Sequence, residues 1–108
     1  MPISFTRGDT PTFTVNVSDA NGEPYELQEG DRLTFTVKAS TKVADPVLVQ
    51  KVMTADTGPT FRLGAEDTSL PYGSYRYDVE LATAGGDVFT VVKPDKLTVT
   101  EEVTTHGD

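Results

Sequence analysis

The chain of 108 residues contains no cysteine, no tryptophan and one histidine, and its 9 lysines and arginines are outnumbered by 17 acidic residues. Each shortage removes a class of function. Without cysteine there is no disulfide, no thiolate metal site, no thiol nucleophile and no redox role. With only His106, three residues from the end, a histidine-assisted nucleophile has no positioned imidazole. No apolar run approaches the roughly 20 residues of a membrane-spanning helix, and Met1-Pro2-Ile3-Ser4-Phe5 has neither a basic leader nor a sustained apolar stretch. The net charge of −8 repels nucleic-acid phosphate and anionic lipid, and it favours solubility.

What the chain does have is alternation. In Tyr75-Arg76-Tyr77-Asp78-Val79-Glu80-Leu81, large apolar side chains alternate with charged ones, the period of a half-buried strand. Phe13, Val15 and Val17 repeat it, as do Leu33, Phe35 and Val37. Strands are expected over 3–6, 12–18, 32–38, 47–52, 60–63, 71–82, 88–92 and 96–103, with a brief extended segment at 25–27. One helical turn fits 65–69. Asp19 to Pro24 and Ala84-Gly85-Gly86-Asp87 carry dense turn signals, and Lys93-Pro94-Asp95 reads as a break between two strands. A chain of this length buries roughly two-thirds of its unfolded surface as one domain. The expected fold is all-β, an immunoglobulin-like sandwich of seven to nine antiparallel strands with Greek-key wiring, over 1–103, followed by a flexible tail at 104–108. A closed barrel is the alternative. The cysteine pair and core tryptophan of antibody domains are missing, so the term describes topology.

Candidate chemistry is sparse. Arg7-Gly8-Asp9 spells the tripeptide read by integrins, but a turn between two strands accounts for it. Asp19, Asn21 and Glu23 place oxygens at alternate positions without the spacing of an EF-hand loop. Asp78 and Glu80 share a strand face with no glycine-rich phosphate loop or metal cluster beside them. No catalytic, cofactor-binding or metal residues are assigned, and no enzymatic activity is expected. Tyr25 and Tyr72 sit beside turns and are the candidate exposed aromatics for a sugar face. In the run 47–52 apolar residues occupy consecutive positions, as in a strand covered on both faces or slipped at a bulge, with the inward face undetermined. Val47, Leu48, Val49 and Val52 are therefore the candidate partner contacts, since the second apolar face, Leu48 and Val52, needs a cover from elsewhere.

Arg7-Gly8-Asp9-Thr10 followed by Phe13-Thr14-Val15, then Asn21-Gly22-Glu23-Pro24-Tyr25 with Leu27, then Leu33-Thr34-Phe35-Thr36-Val37-Lys38, resembles the N-terminal immunoglobulin-like domain of phage baseplate upper proteins and related small phage structural proteins. Asp45-Pro46-Val47-Leu48, Leu70-Pro71-Tyr72-Gly73 and the run from Tyr75 to Leu81 continue the likeness over most of the chain. The resemblance implies a non-enzymatic virion component of the tail or baseplate, made in the host cytoplasm, that holds other proteins in place or associates with itself. Further domains follow this one in the baseplate proteins, whereas this sequence ends shortly after Val103, which favours a small adaptor. The competing expectation is a bacterial surface module of the same fold that recognises a glycan or protein.

Overall fold

A computed structural model describes residues 2–19, 21–42 and 44–101. The expected tail at 104–108, His106 and the end of the last strand near Val103 lie outside them. Seven strands and one helical turn follow one another: β1 (Ile3–Thr6), β2 (Thr12–Thr14), β3 (Arg32–Lys38), β4 (Val49–Met53), β5 (Thr60–Arg62), α1 (Ala65–Thr68), β6 (Gly73–Ala82) and β7 (Val88–Thr100). They form a five-stranded sheet in the order β1-β7-β6-β3-β4 and a two-stranded sheet of β2 and β5. The chain crosses between the layers after β1, after β2, after β4 and after β5. This is an immunoglobulin-like β-sandwich, with the small sheet covering the middle of the larger one.

All strand pairs are antiparallel except one: β1 runs parallel to β7, with Ile3 opposite Leu97 and Phe5 opposite Val99. The two N-terminal β-segments lie in different sheets, so the turn between them carries the chain from one layer to the other. Arg7-Gly8-Asp9 makes that turn. Gly8 has φ 88°, a left-handed conformation that glycine adopts without steric cost, and the Asp9 amide donates to Thr6 O at 3.1 Å. Thr68, fully buried in α1, donates its hydroxyl to Asp9 O at 2.7 Å and ties the helical turn beneath it.

Alternation decides the inner face of the large sheet. Leu33, Phe35 and Val37 of β3 lie opposite Leu81, Val79 and Tyr77 of β6 and are all buried. Four rings, Phe13, Phe35, Phe61 and Tyr77, pack in series across the core. Phe35 stacks on Phe61 at 4.6 Å between centroids and on Tyr77 at 5.6 Å, and Phe61 touches Phe13 at 5.5 Å. The rings connect the two sheets through tilted contacts of the kind that add about 0.5–1.5 kcal/mol per pair beyond burial. Tyr75 is half-buried and donates its hydroxyl to Pro71 O at 2.5 Å, which anchors the entry to β6.

Three local expectations change. The break at Lys93-Pro94-Asp95 is instead the middle of one long strand, β7. The register moves from Tyr77 opposite Asp95 to Val79 opposite Val92 and Glu80 opposite Thr90, so β7 carries an extra residue at each of two bulges. A bulge tolerates the proline because its missing N–H leaves no ladder bond unmade. Of the strand expected over 12–18 only Thr12–Thr14 is regular, although Val15 and Val17 remain buried and the Val15 amide still donates to Pro59 O at 2.9 Å. The segment at 25–27 is not a strand, and its place in the fold is fixed by side chains.

Candidate functional site

β4 is the last strand of the large sheet, and its outer edge has no neighbouring strand among the described residues. Its pairing with β3 resolves the ambiguity of the run 47–52. Val49 and Met53 lie opposite Val37 and Leu33 and point into the core, so Val49 is withdrawn as a partner contact. Val52 lies opposite Thr34 and faces outward, 51% exposed. The Leu48 amide extends the ladder by donating to Val37 O at 2.8 Å, while the side chains of Leu48 and Val47 remain 39% and 52% exposed. Three of the four contact residues thus form an apolar strip on a free edge.

Beside the strip lies a shallow polar hollow of about 280 Å³ on the outer face, lined by Val47, Thr36, Lys38, Arg76, Asp78 and Glu80 among others. Asp78 and Glu80 do share this face, as the alternation required. Burial raises the Asp78 carboxyl above the usual range, Glu80 adds to the shift and Lys38 opposes it. Charges of both signs surround the pair. An apolar strip with a mixed-charge border has the makeup of a contact surface.

Lys51 occupies the inward phase of β4, where its ammonium meets the Asp67 carboxylate of α1 at 2.8 Å. Burial works against that carboxylate, but Lys51 and the Gly64 amide outweigh it and hold its pKa below the usual value. This pair closes the edge of the core between β4 and α1.

The two tyrosines are not brought together. Tyr72 is exposed at the entrance to β6. Tyr25 is half-buried against the core and lines a groove with Leu81 at the far end of the same strand, some 25–30 Å away at about 3.3 Å per residue. Tyr25 therefore loses its place as an exposed aromatic. Its hydroxyl donates to Asp31 Oδ2 at 2.5 Å, a contact the alternation could not reveal.

Asp31 is the polar group that sequence reasoning missed. Buried at 3% exposure, its carboxylate also accepts from the amides of Gln28 at 2.9 Å and Ala84 at 3.0 Å. One side chain thereby joins the 25–31 segment to the β6–β7 hairpin. The Tyr25 hydroxyl, then the two amides, hold the Asp31 pKa below the usual carboxylate value against desolvation, and the Tyr25 hydroxyl is pushed up in turn. The signal was Gly30-Asp31 itself. Gly30 has φ 89°, and a Cβ there would stand 2.7 Å from the Cβ of Ala84, so the turn brings the carboxylate against the hairpin only with glycine.

Asp19 also serves a turn. Its Oδ1 accepts from the amides of Asn21 at 2.9 Å and Glu23 at 3.0 Å, closing a hairpin in which Ser18 bridges Pro24. Among the described residues no group of three or more histidine, cysteine, aspartate or glutamate side chains is placed to hold a metal ion. Nor is any helix there long and apolar enough to cross a membrane.

No family model matches the chain, and no curated protein matches it. Among solved structures it is similar to a chain from a study of multimeric cell-adhesive interactions of VGSC beta subunits, with a TM-score of 0.43 and 10% identity, covering 96% of this chain and 93% of that one. A likeness of that degree carries no argument about function.

Proposed function

We propose that the protein is a non-enzymatic structural adaptor of a phage or prophage particle, in the tail or baseplate, that acts by holding protein neighbours through the edge of its large sheet. The observation that carries the reading is the strip Val47, Leu48 and Val52, exposed on β4 and the two residues before it, where no strand among the described residues covers it. Edge strands of soluble domains are ordinarily shielded by charge, proline or a covering segment. An apolar one supports docking, either by strand addition or by side-chain packing in a ring of like subunits. The order of motifs from Arg7 to Leu81 supports the phage context and with it a virion location. Glycan recognition by the surface-module alternative gains nothing from tyrosines at opposite ends of β6.

Leu48→Glu tests the docking surface. The variant is expected to keep the fold and lose association in light scattering and in pull-downs with proteins encoded beside it. Outright unfolding would place Leu48 in the core and end the proposal. Tail, baseplate or packaging genes around the reading frame are the expected setting; secretion or cell-wall genes there would transfer the same surface to the bacterial-surface reading.

A further inference from the structure

The large sheet has a second open edge, and it is a different kind of surface. β7 is paired on one side with β6 along both of its halves, but on the other side β1 covers only Leu97 to Thr100. Among the described residues no strand lies on that side of the stretch from Val88 to Lys93.

Beside the vacancy the two layers stand apart. Phe89 lies opposite Leu81, which lies opposite Leu33, so its ring is on the core side of the sheet. It is nevertheless 56% exposed, because the small sheet does not extend over it. Val17, Tyr25, Leu81, Phe89 and Val91 line a groove of about 620 Å³ there, closed on the far side by the Asn16–Asp19 segment. The volume falls within the range of sites that bury a ligand, and the lining combines apolar walls with a row of hydroxyl and amide groups. Asp19 is the one charged residue in that lining, and the chain as a whole carries −8.

We propose that this groove and the open edge of β7 receive an extended segment of a partner protein as an added strand. Backbone pairing to Val88–Lys93 would hold the guest, alternate apolar side chains would cover Phe89 and enter the groove, and basic residues at its flank would meet Asp19. Each feature follows from the site: an unpaired ladder selects extended backbone, the one-sided groove selects alternation, and the single carboxylate of Asp19 on a chain of net charge −8 selects the sign of charge. The inference stands apart from the β4 surface and does not depend on the phage context.

A display library of random peptides of about twelve residues, long enough to span one strand, tests it. Enriched peptides are expected to alternate apolar residues and carry lysine or arginine at a flank. In NMR titrations they should shift the amides of Val88–Lys93 and Val17, and their binding should weaken with added salt. Phe89→Glu, at an exposed position, is expected to retain the native amide spectrum and raise Kd by at least about tenfold, while Leu48→Glu leaves Kd unchanged. Failure to enrich any peptide, equal binding by Phe89→Glu, or shifts confined to β4 would overturn the proposal. A wild-type dimer that Phe89→Glu converts to monomer would identify the occupant as a second copy and overturn the assignment to a basic partner.

Discussion

Phe35 and Phe89 lie on the same side of the same sheet, yet one is fully buried and the other is 56% exposed. Around Phe35 the small sheet supplies Phe61 and, through it, Phe13. Around Phe89 the facing segment stands off and leaves a groove. Strand alternation fixes which side a residue faces, and the reach of the second layer fixes whether that side is dry. The closed end of this sandwich is built for stability and the open end is left available.

The sharpest way to break this comparison is to truncate both rings. Phe35→Ala should cost about 3–5 kcal/mol in chemical denaturation, whereas Phe89→Ala should stay within about 0.5 kcal/mol of wild type. Equal losses would mean that Phe89 is covered in solution. Next comes the junction between the ends: Gly30→Ala forces a left-handed conformation and a clash with Ala84, at a cost of roughly 1–3 kcal/mol, and should raise hydrogen exchange across the β6–β7 hairpin before it affects β3.

Acid offers a gentler probe of the same junction. The Asp31 pKa is lower in the folded chain than in the unfolded one, so its stabilisation is fully present above the ordinary carboxylate value of about 3.9 and is lost as pH falls through the depressed folded value. Thermal midpoints should fall through that window for wild type. Asp31→Asn should start lower at neutral pH and show a shallower decline. A small loss is also expected at the edge facing α1, where Lys51→Met removes a partly exposed ion pair worth under about 1 kcal/mol. A larger loss would show that the pair adds substantially to the β3 ladder in holding β4 in place.

How much of this could be read from the residues follows the same physical division. β1 and β3 appear with the boundaries that alternation assigns, and the helical turn at Ala65–Thr68 falls within the expected segment. Local periodicity carries that information. The continuity of β7 across Pro94 was hidden because proline ordinarily ends a ladder, and only the partner strand shows the bulges that accommodate it. The inward phase of β4 was hidden because Val47 to Val52 supplies apolar residues in both phases, and the pairing with β3 makes the choice. Gly30-Asp31 marks a turn locally, but the partner that Asp31 finds at Ala84 belongs to a hairpin more than fifty residues later, to which no local pattern points. Of the candidate site, the apolar run 47–52 was legible as a region, but that Val49 turns inward while Val47, Leu48 and Val52 stay exposed was not; nor was the open edge of β7, because vacancy is a property of the assembled sheet.

Pro94 has one further consequence. A sheet edge that welcomes a foreign strand is also a template for runaway stacking into fibres, the hazard that soluble β-proteins must suppress. The vacancy on β7 holds one bulge at Val91 and ends at the other, where the strand twists and Pro94 withholds an N–H, just before β1 occupies the edge. A visiting strand thus meets a berth of fixed length, with a stop at one end and the turn at Ala84–Asp87 at the other. The site is shaped to accept one short guest and to deny growth to the next.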